Sequence, residues 1–311
     1  MKRDSSRAVR EGALMTALTV IIYLTAIYLP FVSTFAVFVA GTPLGATLIR
    51  NDYKTTIIAF FASFLLMFII GGDVIVPITY SVLGIIPGVV SAYCLKERQE
   101  LGKAVIITTL AEIVGIILCL GLFKLVYKQN ILEDMLKEYF KAMEQATKSL
   151  PVGTDATKQV TDTISQLKAT MQVYMPSLLI LTSAIISGVT LMINSFIYKR
   201  LRFNVGNRIE LSKIKAPRSM GYGMAIIMVV SIFTPQNGKL AFALSNVVYI
   251  FMMIMGICGL SAADYFLKYK KNMGKVRFLI LLIALYFYTV LTILGLIDTF
   301  RDFRGLEKKE A

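Results

Sequence analysis

The chain has 311 residues, of which 56% are hydrophobic and 17% are charged, with a formal net charge of +14. A soluble domain carries about 25% charged residues, and the few charges here stand in short clusters between long apolar runs. The composition therefore excludes a water-soluble enzyme. It predicts an all-α, polytopic transmembrane bundle of about eight or nine spanning helices.

Apolar runs long enough to be candidate spans follow one another along the chain, since a spanning helix needs about 20 predominantly apolar residues. They cover residues 11–29, 31–49, 55–71, 74–95, 104–127, 176–198, 219–235, 240–267 and 276–298. The first run follows a basic N-terminus, as in a signal peptide. No clear cleavage site follows it, so we expect a retained first helix.

The lysines and arginines between these runs predict the orientation of the chain. With a cytoplasmic N-terminus, the inner segments hold 21 of the 33 basic residues. These segments are 1–11, 50–54, 96–103, 199–218 and 268–277. The pattern predicts a multi-pass protein of the cytoplasmic membrane. The tail after Asp298 does not fit, because its four basic residues would lie outside: Arg301, Arg304, Lys308 and Lys309.

Residues 128–175 combine balanced charge with two apolar stripes at helical spacing, from Ile131 to Met143 and from Val160 to Tyr174. They predict an extracytoplasmic helical hairpin whose second arm continues into the sixth span. A solvated, partly ordered loop is the alternative. The predicted parts of the chain are a six-helix membrane domain (1–198, including this hairpin), a basic cytoplasmic loop (199–218) and C-terminal membrane helices (219–311).

Glu112 is the most unusual side chain of the apolar runs, because it lies about 12 Å into the fifth one at 1.5 Å per residue. A carboxyl group at this depth is costly and must face the bundle interior or a wet cavity. It predicts a contact to an ion, a proton or a substrate. The alternative is a structural hydrogen bond to a neighbouring helix.

Other polar residues in or near the spans have simpler interpretations. Asn194 and Asn246 are expected to form interhelical hydrogen bonds. Asp264 is expected to pair with Lys268, four residues on, at the inner end of the eighth helix. Asp298 is expected at an outer helix end, where solvation costs little.

Glycine and proline interrupt or end three of the first four helices, at residues 41–45, 71–72 and 84–88. Broken helices free backbone carbonyls and amides that can line a polar cavity. Close helix packing with kinks is the alternative. Three interruptions in so short a stretch favour a cavity within the first helices.

Several kinds of chemistry are excluded. The chain contains no histidine and no tryptophan, and its three cysteines show no spacing typical of a zinc site or a disulfide framework. Histidine-dependent catalysis and His-ligated metals are therefore ruled out, and no Walker A or Rossmann pattern occurs. We expect no enzyme activity, no cofactor, no metal and no nucleic-acid partner.

The first helix reads EGALMTAL over residues 11–18 and the fourth reads GIIPGVVSAY over 84–93. This region, about residues 8–198, resembles the substrate-binding S component of energy-coupling factor vitamin transporters. In that family an Ala-x-x-x-Ala pattern packs against a transmembrane coupling subunit that works with ATPases. The resemblance implies such a contact for Ala13 and Ala17, whose small side chains let a partner helix approach.

Nearly the full chain more closely resembles the YybS-like family of bacterial membrane proteins. The residues that carry this resemblance are the first helix, 256–261 (GICGLS) and 294–298 (LGLID) leading to Phe303-Arg304. The resemblance implies a membrane location and assigns no activity. The chain departs from a transporter S component in its additional C-terminal helices and in its 128–175 hairpin.

Two functions stay open. The first is a substrate-binding subunit of a small-molecule transport system. The second is a membrane scaffold or sensor that acts through the outer hairpin and the basic 199–218 segment, which would contact anionic lipid or a cytoplasmic partner. The pocket residues predicted for the first, from position alone, are Tyr28, Asp73, Thr79, Tyr80 and Glu112.

Overall fold

The computed structural model describes residues 5–128, 130–149, 154–206, 210–234, 238–269 and 276–306. Over these residues the regular structure is helical and contains no strand. The predicted all-α class is therefore confirmed. The chain divides into two compact units. Unit 1 comprises residues 1–164 and 182–209, and unit 2 comprises residues 165–181 and 210–311.

Unit 1 combines long apolar helices with short, broken ones. They are α1 (Ser5–Tyr28), α2 (Pro30–Val39), α3 (Thr42–Arg50), α4 (Tyr53–Gly71), α5 (Ile75–Tyr80), a π-helix (Ser81–Ile85), α6 (Ile86–Lys96), α7 (Leu101–Tyr127), α8 (Ile131–Ser149) and part of α9 (Thr154–Arg200). Because α9 is one continuous helix of 47 residues, the second arm of the predicted hairpin does continue into the sixth span.

Unit 2 contains residues 165–181 of α9 and the C-terminal elements. These are a short 3₁₀ helix (Leu211–Lys213), α10 (Arg218–Phe233), α11 (Lys239–Tyr269), α12 (Arg277–Tyr286) and α13 (Tyr288–Arg301). The axes of α12 and α13 are bent by 100° at a break next to Phe287.

Within the described ranges, seven helices are long and apolar enough to cross a membrane, or eight if α12 and α13 count as one bent span. The predicted polytopic bundle is therefore confirmed. Two of the predicted spans differ in detail. Residues 219–235 form the 16-residue α10, which is shorter than the usual length of about 20. The run 276–298 is broken, although no glycine or proline marks the break at Phe287.

Helix α4 shows how local sequence sets the ends of a span. The Asp52 side chain accepts a hydrogen bond from the Thr55 amide at 2.8 Å, and hydrogen bonds from the Thr55 hydroxyl and amide lower the pKa of the Asp52 carboxyl. At the other end Gly72 has a φ of +67°, a left-handed conformation that favours glycine. The predicted interruption at residues 71–72 is thus a helix C-cap.

Glycines bring the backbones of α11 and α13 into direct contact. A Cβ atom added to Gly259 would collide with the carbonyl of Leu291, and one added to Gly295 would collide with the carbonyl of Met255. Small residues allow membrane helices to approach this closely. Helix α13 is therefore packed against the central part of α11.

Both ends of the α12–α13 pair are held at the same end of α11. Arg277, the first residue of α12, forms a bidentate ion pair with Asp264 at 2.5 Å. Just beyond α13, Arg304 donates to Ser261 Oγ at 2.6 Å. Ser261 and Asp264 are about 4.5 Å apart along the helix axis. The pair therefore returns to the end of α11 at which it begins, as the two arms of a re-entrant loop do, whereas the sequence predicted one straight span over residues 276–298.

Arg304 is fully buried, and all five of its N–H groups are paired. Nε and Nη2 donate to Asp298 Oδ2 at 3.0 and 2.7 Å. Nη1 donates to Ser261 Oγ and to the carbonyl of Ser212, at 2.6 and 3.0 Å, and Nη2 donates to the carbonyl of Ile214 at 2.9 Å. One guanidinium thus joins α13, α11 and the segment that carries the 3₁₀ helix.

The expected ion pair between Asp264 and Lys268 is wrong. Asp264 is buried and pairs with Arg277, whereas Lys268 pairs with Glu210 at 2.5 Å. The spacing of four residues along one helix favoured pairing between Asp264 and Lys268. In the structure each of them pairs with a residue outside α11.

Asp298 is not solvated at an outer helix end. Its side chain is 1% exposed beside Arg304, whose own side chain is 0% exposed. Because the α12–α13 pair turns back, Arg301 and Arg304 lie at the same end of α11 as Lys268.

The Arg304 pairing predicts a large and specific stability loss. Arg304→Met leaves Asp298 buried without its partner, and breaking a buried pair in this way costs about 3–5 kcal/mol. The free energy of unfolding, measured by SDS titration in mixed micelles, should fall by that amount. Arg301→Met is the matched control, because Arg301 lies three residues away and is exposed. Equal losses in the two variants would contradict the structural role of Arg304.

Candidate functional site

Glu112 lies on the buried stripe of α7 that faces the π-helix. The stripe also contains Thr108, Gly115 and Cys119, spaced three or four residues apart. A Cβ atom added to Gly115 would stand 2.8 Å from the carbonyl oxygen of Val82 in the π-helix. This close approach brings a carboxyl group in the middle of a span next to irregular backbone.

The π-helix follows from the sequence around Pro87. The Ile86 amide donates to the carbonyl of Ser81, an i to i−5 bond, and Pro87 has no N–H to donate to the preceding turn. Single-turn π-helices of this kind occur frequently at functional sites. The predicted interruption over residues 84–88 is therefore an insertion of π-helix into a continuous span.

Five side chains of α1, α5, the π-helix and α7 each bury a polar atom that has no hydrogen-bond partner among the described residues. They are Tyr23 (hydroxyl), Tyr80 (hydroxyl), Ser81 (Oγ), Thr109 (Oγ1) and Glu112 (Oε2), and we call them the Glu112 cluster. Tyr80 and Ser81 enter the π-helix, and Thr109 is one turn from Glu112. The rings of Tyr23 and Tyr80 lie 5.2 Å apart, edge to face.

The structure places four of the five predicted pocket residues in or beside this cluster. Tyr80 and Glu112 belong to it, and Thr79 lies beside Cys119 on the stripe of α7 that carries Glu112. The Asp73 carboxylate accepts a hydrogen bond from the Ile75 amide at 2.9 Å and interacts electrostatically with Tyr23. Tyr28 is 72% exposed at the end of α1.

Sequence reasoning missed Tyr23, Ser81, Thr109 and Cys119. Tyr23 and Cys119 resemble ordinary interior residues of apolar runs, and Ser81 and Thr109 resemble hydroxyls that bond within their own helix. The one available signal was the three-residue spacing of Thr109 and Glu112, which places both on neighbouring positions of one helix surface.

The chemistry of the cluster is that of hydrogen bonding around a single ionisable group. It offers hydroxyl oxygens and one carboxyl group, with no nucleophile–base pair. Among the described residues, no group of three or more Cys, Asp or Glu side chains is placed to hold a metal ion. The arrangement therefore suits recognition of a polar molecule rather than bond cleavage.

A second polar group in unit 1 is fully paired. Asn194 Oδ1 accepts from the Thr42 hydroxyl at 2.6 Å, and Asn194 Nδ2 donates to the carbonyl of Gly88 at 3.2 Å and to Ser91 Oγ. The Tyr198 hydroxyl donates to the carbonyl of Thr42 at 3.0 Å. These contacts confirm the expected interhelical role of Asn194 and join α3, α6 and α9.

Ala13 and Ala17 lie on the exposed face of α1. Leu14 and Leu18 share this face and are 68% and 43% exposed. A small-residue stripe between larger apolar side chains is therefore accessible to lipid or to a helix of another protein. The predicted partner contact stays a prediction.

These features define an integral, polytopic α-helical membrane protein with a polar site inside one helical unit. The chain belongs to the family described as "Predicted membrane protein (DUF2232)", whose family model matches residues 17–299. It is 24% identical over 303 residues to the "Uncharacterized protein YybS" of Bacillus subtilis (strain 168), a match that covers 94% of this chain and 96% of the relative. No solved structure matches the chain. The YybS-like resemblance is thus confirmed.

Proposed function

We propose that the chain binds a small polar solute inside the membrane, at the Glu112 cluster. The observation that carries this proposal is the set of five buried polar atoms without partners. Buried polar groups of native proteins are paired in the great majority of cases, and each unpaired one in hydrocarbon costs several kcal/mol. A bound solute, with any accompanying water, would supply the missing hydrogen bonds.

Two other polar side chains of the same chain, Arg304 and Asn194, are paired and have a structural role. Arg304 has a partner for every N–H group, and Asn194 uses both ends of its amide. Three further buried polar atoms without a described partner, on Ser187, Tyr288 and Asp298, lie elsewhere in the chain. The Glu112 cluster differs from them because it collects five such atoms on α1, α5, the π-helix and α7 of unit 1.

The finer form of the proposal is a substrate-binding subunit of a small-molecule transport system. The exposed small-residue face of α1 supports it, because Ala13 and Ala17 leave room for a coupling subunit. In that arrangement a partner ATPase supplies the energy. The lipid bilayer is the other partner, and the basic inner segments set the cytoplasmic position of the N-terminus.

The alternative is a membrane scaffold or sensor. Met135 and Tyr139, on the amphipathic α8, are 65% and 52% exposed, and apolar side chains of this size on a solvated helix suit association with another protein. The alternative does not account for the unpaired atoms around Glu112. It is therefore the second candidate.

Glu112→Leu separates a binding role from a structural one. Removing an unsatisfied buried carboxyl should raise the free energy of unfolding by about 1–3 kcal/mol, whereas loss of a structural hydrogen bond would lower it. Native mass spectrometry of gently extracted protein should show a retained solute in the wild type. Its occupancy should fall at least about tenfold in Glu112→Leu, since hydrogen bonds to charged groups contribute about 1.5–3 kcal/mol.

Glu100→Gln is the control for that experiment, because Glu100 is exposed at the start of α7. It should retain the solute and the wild-type stability. A Glu112→Leu variant that keeps the solute, or that is less stable than the wild type, would remove the proposed role of Glu112.

Ala13→Leu combined with Ala17→Leu tests the transport form. Leucine side chains fill the space that a partner helix would use, so copurified coupling subunit and ATPase should decrease at least about tenfold. Ala243→Leu, at an exposed alanine of α11, should change nothing. Unchanged copurification in the double variant, together with other partners, would favour the scaffold.

A further inference from the structure

Unit 2 contains its own cavity, formed by α9, α10 and α11. Its volume is about 150 Å³, and it is lined by Tyr174, Ser231, Ser245, Val248, Tyr249 and Met252. The four lining residues of α11 lie within an apolar span. The cavity is therefore at membrane depth and is separate from the Glu112 cluster, which lies in unit 1.

Asn246 fixes the wall of this cavity. Pro176 interrupts the hydrogen bonding of α9, and the Asn246 side chain takes the place of a missing backbone bond. Its Oδ1 accepts from the Ser177 amide at 3.1 Å, and its Nδ2 donates to the carbonyl of Val173 at 2.9 Å. This confirms the expected interhelical role of Asn246 and sets the position of Tyr174 between those two residues.

The break between α12 and α13 lies close to the cavity. A Cβ atom added to Gly256 would collide with the ring of Tyr288, and Gly256 is one turn from the lining residue Met252. The Tyr288 ring therefore lies within one turn of the cavity wall. Broken helices that return within the membrane are found where backbone lines a binding cavity.

The lining defines the chemistry of a ligand. The rings of Tyr174 and Tyr249 lie 5.0 Å apart with a 38° tilt, and Ser231 and Ser245 add hydroxyl groups from two helices. None of the six lining side chains is charged, so the cavity favours a neutral ligand. A cavity of about 150 Å³ holds a molecule of the size of benzene.

We propose that this cavity binds a neutral, single-ring aromatic alcohol or phenol. The ring of the ligand packs against the two tyrosine rings and Val248. Its hydroxyl group exchanges hydrogen bonds with Ser231 or Ser245. The proposal depends on unit 2 alone and is independent of the function proposed for the Glu112 cluster.

The test uses para-fluorobenzyl alcohol as the probe and the full chain in lipid nanodiscs. Fluorine NMR line widths are measured during titration, with empty nanodiscs of the same lipid as reference. A saturable broadening should appear only with the protein. Val248→Phe fills the cavity and should weaken the saturable binding at least about tenfold. Val247→Phe makes the same change at a neighbouring residue that is 36% exposed, and its dissociation constant should stay within about twofold.

A second experiment tests the proposal without the Val248→Phe variant, in case that variant does not fold. Fluorobenzene, which lacks the hydroxyl group, should bind the wild type about two- to tenfold more weakly than the alcohol, because one hydrogen bond is lost. Ser231→Ala with Ser245→Ala should remove that difference. Broadening that does not saturate would overturn the proposal. So would equal losses in a folded Val248→Phe and in Val247→Phe, or a preference for the alcohol that survives both serine changes.

Discussion

The buried guanidinium of Arg304 holds the C-terminal end of unit 2 together, because a charged group buried away from water persists only where the protein pairs it. Its five donors reach Asp298, Ser212, Ile214 and Ser261. These partners lie on three separate stretches of chain. The α12–α13 pair can therefore turn back toward its starting point, and the glycine contacts of α11 and α13 follow from that path.

The cost of leaving a buried polar group unpaired also applies to the Glu112 cluster. In unit 1 both the oxygen and the nitrogen of the Asn194 side chain have hydrogen-bond partners. The helices of this unit can therefore pair a polar side chain within an apolar span. In α1, α5, the π-helix and α7 they leave five buried polar atoms without partners among the described residues. Under the proposed function these atoms lower the stability of the empty protein, and a bound solute that completes their hydrogen bonds gains binding energy. The trade of stability for recognition is common at functional sites.

The sequence was sufficient for the fold class and for most span boundaries, because apolar length is the strongest signal in a membrane protein. It also predicted the C-cap at Gly72 and the interhelical roles of Asn194 and Asn246, since glycine and buried amides have few alternatives. It did not predict the bend at Phe287, where neither glycine nor proline occurs. It also could not predict the partners of Asp264 and Asp298, because pairing between segments remote in sequence depends on the folded path.

The path of the α12–α13 pair is the central structural claim, and residue accessibility from each membrane face measures it directly. Single cysteines at Val276, Phe303 and Leu240, which are 44%, 50% and 63% exposed, are introduced into a chain whose three buried cysteines are replaced by alanine. Labelling with a membrane-impermeant maleimide, in right-side-out and inverted vesicles, should place positions 276 and 303 on one face and position 240 on the other. Labelling of 276 and 303 from opposite faces would contradict the account.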